Sequence, residues 1–117
     1  SSFSQIECYN LAIGADSGFT TIFLNQSSPG CSSKFVPSQK PHQTEVRDLA
    51  SLLAEKNISQ VDFIKIDIEG MEQEALQGML SCLGPHTVVM CEFNPYFLKS
   101  IHKSPTAFLD YLNAHFR

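Results

Sequence analysis

The 117 residues contain no tryptophan, no C-x-x-C pair among their four cysteines, and no apolar run near membrane-spanning length. A helical span needs roughly 18–20 consecutive apolar residues, so none is expected in this segment. Zinc sites built on local cysteine spacing are unsupported by Cys8, Cys31, Cys82 and Cys91. Three of these thiols (Cys8, Cys82, Cys91) lie in apolar stretches and read as small buried residues without disulfides. Positive charge is sparse and unclustered: 8 Lys+Arg against 12 Asp+Glu give a net charge of −4. That argues against nucleic-acid binding and against contact with an anionic membrane. His42, His86, His102 and His115 are scattered, so no Ser/His/Asp or Cys/His arrangement supports hydrolysis. The opening Ser1-Ser2-Phe3-Ser4-Gln5 is neither a signal peptide nor a lipidation signal and has no initiator Met. What is present is 43% apolar and only 17% charged, a composition built to bury surface in one small domain or a piece of a larger one. A soluble segment is expected. The cytoplasm is favoured over a secretory lumen, in which Asn25-Gln26-Ser27 and Asn57-Ile58-Ser59 would be glycosylation sequons.

Local patterns predict alternating elements. Ile6 to Ile13 and Phe19 to Leu24 read as strands around the turn-forming Gly14-Ala15-Asp16-Ser17-Gly18. They fit an edge hairpin, or one sheet strand followed by an excursion. Residues 25–43, rich in Ser, Pro, Gly, Gln and Lys, read as a long loop. Asp48 is placed to cap a helix whose Leu49, Leu52 and Leu53 repeat at helical spacing as far as Asn57. Val61 to Ile68 reads as a strand covered on both faces. Met71 to Leu83 reads as a helix with an apolar stripe of Met71, Ala75, Leu76, Met79 and Leu80, stopped by Gly84-Pro85. Thr87 to Phe93 is a second apolar strand. Thr106 to Phe116 is a last helix with Phe108, Leu109 and Leu112 inward. Helix, strand, helix, strand, helix is the order of a doubly wound α/β fold with a parallel sheet.

In such sheets ligands bind beyond the carboxyl ends of the strands. That rule selects Gly14-Ala15-Asp16, Asp67-Ile68-Glu69-Gly70 and Glu92-Phe93-Asn94. The middle segment carries the most information. Alternation along a strand puts Phe63, Lys65 and Asp67 on one face and Ile64, Ile66 and Ile68 on the other. Charges within so apolar a strand need partners. Lys65 and Asp67 can supply each other, and Asp67 or Glu69 can equally serve as a helix cap.

Lys65-Ile66-Asp67-Ile68-Glu69-Gly70-Met71-Glu72, followed by Leu76 and Gly78, resembles the K-I-D-[VI]-E-G-x-E…L-x-G signature of FkbM-type methyltransferases. Residues 46–53 resemble the segment leading into that motif, Leu11-Ala12-Ile13-Gly14 the family's A-[VI]-G strand end, and Val88-Val89-Met90-Cys91-Glu92 its apolar strand closing in glutamate. The resemblance implies a Rossmann-like, class I fold that uses S-adenosylmethionine to methylate a hydroxyl on a sugar or natural product. It implies Asp67, Glu69 and Glu92 as catalytic candidates, with Ala12, Ile13 and Asp67 on the cofactor. The family's glycine-rich cofactor loop is not found among these residues, since no G-x-G occurs. The chain is therefore expected to be the C-terminal portion of a catalytic domain whose main cofactor cradle lies ahead of Ser1, and to be inactive alone.

Methyl transfer is an in-line displacement, so positioning and electrostatics can supply most of the catalysis. Asp67 at the strand end can orient an acceptor hydroxyl, act as base, or hold a divalent cation that does so, although the spacing does not establish a metal site. Asn94-Pro95-Tyr96-Phe97 is similar to the N-P-P-[YF] loop of methyltransferases acting on amino groups, but only one proline follows the Asn and ordinary turn initiation accounts for it. The competing reading from another class is a non-catalytic α/β interaction or scaffold module derived from a methyltransferase. The expected partner of the enzyme is a small-molecule or saccharide acceptor. Oligomeric state does not follow from the sequence.

Overall fold

The computed structural model describes residues 4–24, 34 and 40–117. Among the described residues five strands form two small sheets. In the first, β1 (Ala12–Ile13), β2 (Gly18–Leu24) and β3 (Lys40–Arg47) lie in the order β1-β3-β2. β2 and β3 pair antiparallel from Gly18↔Val46 to Leu24↔Lys40, and β1 runs parallel to β3 through Ala12↔Val46 and Ile13↔Arg47. Two expectations change here. Residues 6–11 form no strand, because only Ala12 and Ile13 find a ladder partner. The long loop does not extend to Gln43: Lys40 to Gln43 belong to β3, drawn into the ladder by β2. The rest of that loop, Lys34 apart, lies outside the described residues, as does Cys31.

Asp48 caps α1 (Leu49–Glu55) as the sequence predicts, its Oδ1 accepting the Ser51 N–H at 2.8 Å. The Ser17 hydroxyl donates to Asp48 Oδ2 at 3.0 Å and ties the first turn to this cap. Leu52 is the buried residue of the helix.

The second sheet joins β4 (Phe63–Ile66) to β5 (Val88–Cys91) in parallel, Phe63↔Val88 through Ile66↔Cys91. Between them runs α2 (Glu72–Gln77) and a 3-10 turn at Leu80–Cys82, forming a β-α-β unit. The single helix expected over 71–83 is thus broken at Gly78. Strand alternation holds: Ile64, Ile66 and Ile68 turn inward while Phe63, Lys65 and Asp67 are exposed. Cover on both faces does not hold, since Phe63, Val88 and Met90 are each more than half exposed.

Two further helices close the inner face. Asn94 Oδ1 accepts from Phe97 N–H (3.0 Å) to cap α3 (Pro95–Ser100), and Ser104 Oγ accepts from Ala107 N–H (3.2 Å) to cap α4 (Pro105–His115). Both have proline in the first turn, where a missing N–H costs nothing. Asn94 is therefore committed to a cap, and α3 is an element the sequence reading did not separate from a turn. In α4 Phe108 is buried and Leu112 half-buried, but Leu109 is 43% exposed rather than inward. The core is the meeting of Ile66 with Ala75, Leu76, Met79, Leu98 and Phe108. Cys8 is exposed and Cys82 and Cys91 are half-buried free thiols, less enclosed than their apolar surroundings in sequence suggest.

Candidate active site

The carboxyl ends of β1 and β4 open onto one cleft of about 600 Å³. Its lining brings Ala12 and Ile13 together with Asp67, Glu69 and Glu74, and adds Phe19 from the β2–β3 hairpin. Four of the five distinct sequence-predicted site residues thus face the same space. Glu92 does not line it. The Glu92 N–H donates to the Ile66 carbonyl at 3.1 Å, which sets this residue at the end of β5 beside the start of the Asp67 segment.

Each position follows from local chemistry. Asp67 lies one residue past β4, and its Oδ2 meets Lys65 Nζ at 3.2 Å with both side chains more than half exposed. The pair is therefore a solvated one rather than the buried pair a fully covered strand would require. Neither Asp67 nor Glu69 caps the next helix: the N-cap position of α2 is Met71, without a side-chain cap bond.

Glu69 and Gly70 turn the chain sharply, with φ of 53° and 94°. Left-handed backbone is accessible to glycine but rare for glutamate, so this turn is held by its surroundings. Glu72 does much of the holding. The residue is 3% exposed, and its Oε1 accepts both the Ile68 N–H (3.1 Å) and the Gly70 N–H (3.3 Å). A carboxylate that the sequence places in a helix first turn has folded back onto the strand end. Gly70 also lies under α3: a Cβ there would stand 2.7 Å from Ile101 Cδ1 and 2.9 Å from Phe97 Cε1. On the other side, Lys103 Nζ donates to the Gly70 carbonyl at 2.7 Å and forms an ion pair with Glu74 Oε1. The second oxygen of Glu74 is buried without a partner.

The turn leaves Glu69 partly enclosed among like charges. Burial first, then the neighbouring carboxylates of Glu92, Asp67 and Glu72, push its pKa above the ordinary glutamate value. The floor of the cleft is anchored at Gly78. A Cβ at that position would approach the Gly14 carbonyl oxygen to 2.1 Å, so the end of α2 and the end of β1 touch backbone to backbone. The helix breaks there, and the Gly78 carbonyl accepts the Ala50 N–H at 3.1 Å, drawing α1 to the same joint.

Sequence reasoning did not single out Phe19, Thr20 and Ile22, whose hairpin walls the cleft, nor Lys103. No signal marked them, because each reaches the site through tertiary packing. Among the described residues no group of three or more His, Cys, Asp or Glu is arranged to hold a metal ion, and no helix is long and apolar enough to cross a membrane.

The family model described as Methyltransferase FkbM domain matches residues 1–116, and the chain belongs to that family. No curated protein and no solved structure matches it.

Proposed function

We propose that this FkbM-family methyltransferase transfers a methyl group from S-adenosylmethionine to a hydroxyl of a sugar or other small natural product. The observation carrying the reading is the convergence of Asp67 and Glu69 with Ala12 and Ile13 on one cleft at the strand ends. The lining suits the donor: Ala12, Ile13, Phe19 and Ile22 would offer an apolar wall to a purine, and the carboxylates of Asp67 and Glu69 would complement a sulfonium. When bound, the donor supplies an electrophilic methyl group on a cationic sulfur. We place the two parallel strand pairs within a doubly wound, Rossmann-like sheet, a reading supported by the β4–α2–β5 unit.

In this scheme Asp67, steadied by Lys65, accepts a hydrogen bond from the acceptor hydroxyl and aims its oxygen along the line of displacement. Glu69 takes the proton as the oxygen loses it. A carboxylate whose proton affinity is raised by burial and like charges is better suited to that task than an ordinary one. Glu92, at the next strand end and outside the cleft lining, acts through its charge on Glu69. Asn94 Oδ1 and the Asn94 carbonyl accept the Phe97 and Leu98 N–H groups within α3, and hydroxyl transfer is preferred to amino-group transfer on that ground.

The test is turnover in the full-length protein, with labelled S-adenosylmethionine and a panel of saccharide and polyol acceptors. Asp67→Ala is expected to lower kcat by about 10²–10⁴-fold. Its stability should change by no more than about 0.5 kcal/mol, because the side chain is largely exposed. Wild-type turnover in Asp67→Ala removes Asp67 from the mechanism. A structure with S-adenosylhomocysteine in which the sulfur lies away from Asp67 and Glu69 removes the whole assignment.

A further inference from the structure

The Glu69–Gly70 turn is tethered at three peptide groups by side chains that do not reach into the acceptor space. Glu72 takes the Ile68 and Gly70 N–H groups. Lys103, 33 residues further on between α3 and α4, takes the Gly70 carbonyl at 2.7 Å. Its Nζ is itself held by Glu74 Oε1 and lies 3.8 Å from Met71 Sδ. Glu69 stands between the tethered peptides in a backbone conformation that glutamate rarely adopts.

We infer that Lys103, anchored by Glu74, is a positioning residue that locks the Glu69–Gly70 turn through the Gly70 carbonyl and so sets the place of the Glu69 carboxylate in the cleft. The inference rests on the reading of Glu69 as an active-site carboxylate. The physical argument concerns the peptide between Gly70 and Met71. Glycine at positive φ has several accessible conformations, and a charge-assisted hydrogen bond to its carbonyl selects one of them. Without the ammonium group that peptide is free to rotate, and Glu69 relaxes toward an ordinary backbone conformation and toward water. The segment joining α3 and α4 thereby contributes, through Lys103, to the geometry of a strand-end carboxylate.

The experiment compares wild type, Lys103→Met and Lys103→Arg in the full-length protein. Carboxyl-carbon NMR follows the titration of Glu69, and amide exchange follows Ile68 and Gly70. Lys103→Met is expected to lower the Glu69 midpoint toward the ordinary carboxylate range and to speed exchange at Ile68 and Gly70 about tenfold. Lys103→Arg, which keeps a cation able to reach the carbonyl, should hold both near wild type. The direction is diagnostic, since deleting a nearby cation by charge alone moves a carboxylate up. Lys103→Met also leaves Glu74 without its cation, at a cost to the fold. The double variant Lys103→Met with Glu74→Met removes both charges, which buried sites tolerate far better than losing one, and should give the same downward shift.

A loss of thermal stability with the Glu69 midpoint and the two amides unchanged overturns the inference and leaves Lys103 a purely structural residue. Glu69→Gln separates the two levels. Wild-type turnover in that variant overturns the active-site reading itself. Impaired turnover there, with unchanged titration in Lys103→Met, overturns the positioning role alone.

Discussion

Replacing Gly78 by alanine is the sharpest test of how the cleft is assembled. Its backbone at the C-cap of α2 is right-handed (φ −74°), so alanine meets no conformational penalty and gains about 0.4–1 kcal/mol by restricting the unfolded chain. All of the cost is contact. The new methyl would lie 2.1 Å from the Gly14 carbonyl oxygen and 3.1 Å from that of Ala15. The first is more than about 1 Å inside the usual carbon–oxygen approach of roughly 3.3–3.6 Å. Both obstacles are main chain and have no rotamer to escape into, so the strain belongs at the upper end of the overpacking range of about 1–3 kcal/mol. The net expectation is a loss of about 2 kcal/mol, or roughly 10 °C in Tm for a domain of this size. Thermal melts followed by circular dichroism would measure it, with Gly18→Ala as control, since nothing lies within 4 Å of a Cβ there. Because the Ala50 N–H bonds the Gly78 carbonyl, the displacement should also reach α1 and weaken S-adenosylhomocysteine binding by the full-length protein. A variant as stable as wild type would refute the backbone-to-backbone joint.

Three other outcomes are expected. Gly70→Ala combines a left-handed backbone with contacts of 2.7 and 2.9 Å to Ile101 and Phe97, and should cost about 2 kcal/mol or more in urea titrations; a loss under half of that would contradict the tight packing of α3. Asp48→Ala should cost about 1 kcal/mol near neutrality. Bonds from the Ser51 N–H, then from the Ser51 and Ser17 hydroxyls, hold the Asp48 pKa below its ordinary value. Its stabilisation is therefore complete above the unfolded-state pKa and disappears as pH falls through the lower folded one, so wild type and variant should converge in acid; a gap that stays constant with pH would rule this out. Glu69 has the opposite sign. Its folded pKa is raised, so the folded state binds the extra proton and wild-type stability declines as pH climbs from the ordinary glutamate range through the raised value. Glu69→Gln should flatten that decline in chemical denaturation at a series of pH values, and superimposable profiles would argue against the enclosed position of Glu69.

What could be read from the sequence was what depends on near neighbours. Asp48 with Leu49, Leu52 and Leu53 announced a capped helix, and alternation through Phe63 to Ile68 assigned the two faces of β4 correctly. β3 escaped because Lys40-Pro41-His42-Gln43 is exposed and polar; pairing with β2 makes it a strand, and burial does not. The break of α2 escaped because the apolar stripe runs on through Met79 and Leu80, while at the break Gly78 lies against a carbonyl 64 positions earlier, at Gly14. α3 is only six residues long and begins with a dipeptide that also starts turns. At the site, Asp67 and Glu69 were legible from their place at a strand end and from family resemblance. The inward fold of Glu72 and the reach of Lys103 depend on packing that no local spacing encodes.

The contact between Gly14 and Gly78 also says where this protein can change. A joint made of two main chains offers no volume to tune: at Gly78 every added atom is a wedge. Divergence in what the cleft admits is left to the hairpin, where Phe19, Thr20 and Ile22 project side chains that can be exchanged while the hinge-pin of the molecule stays untouched.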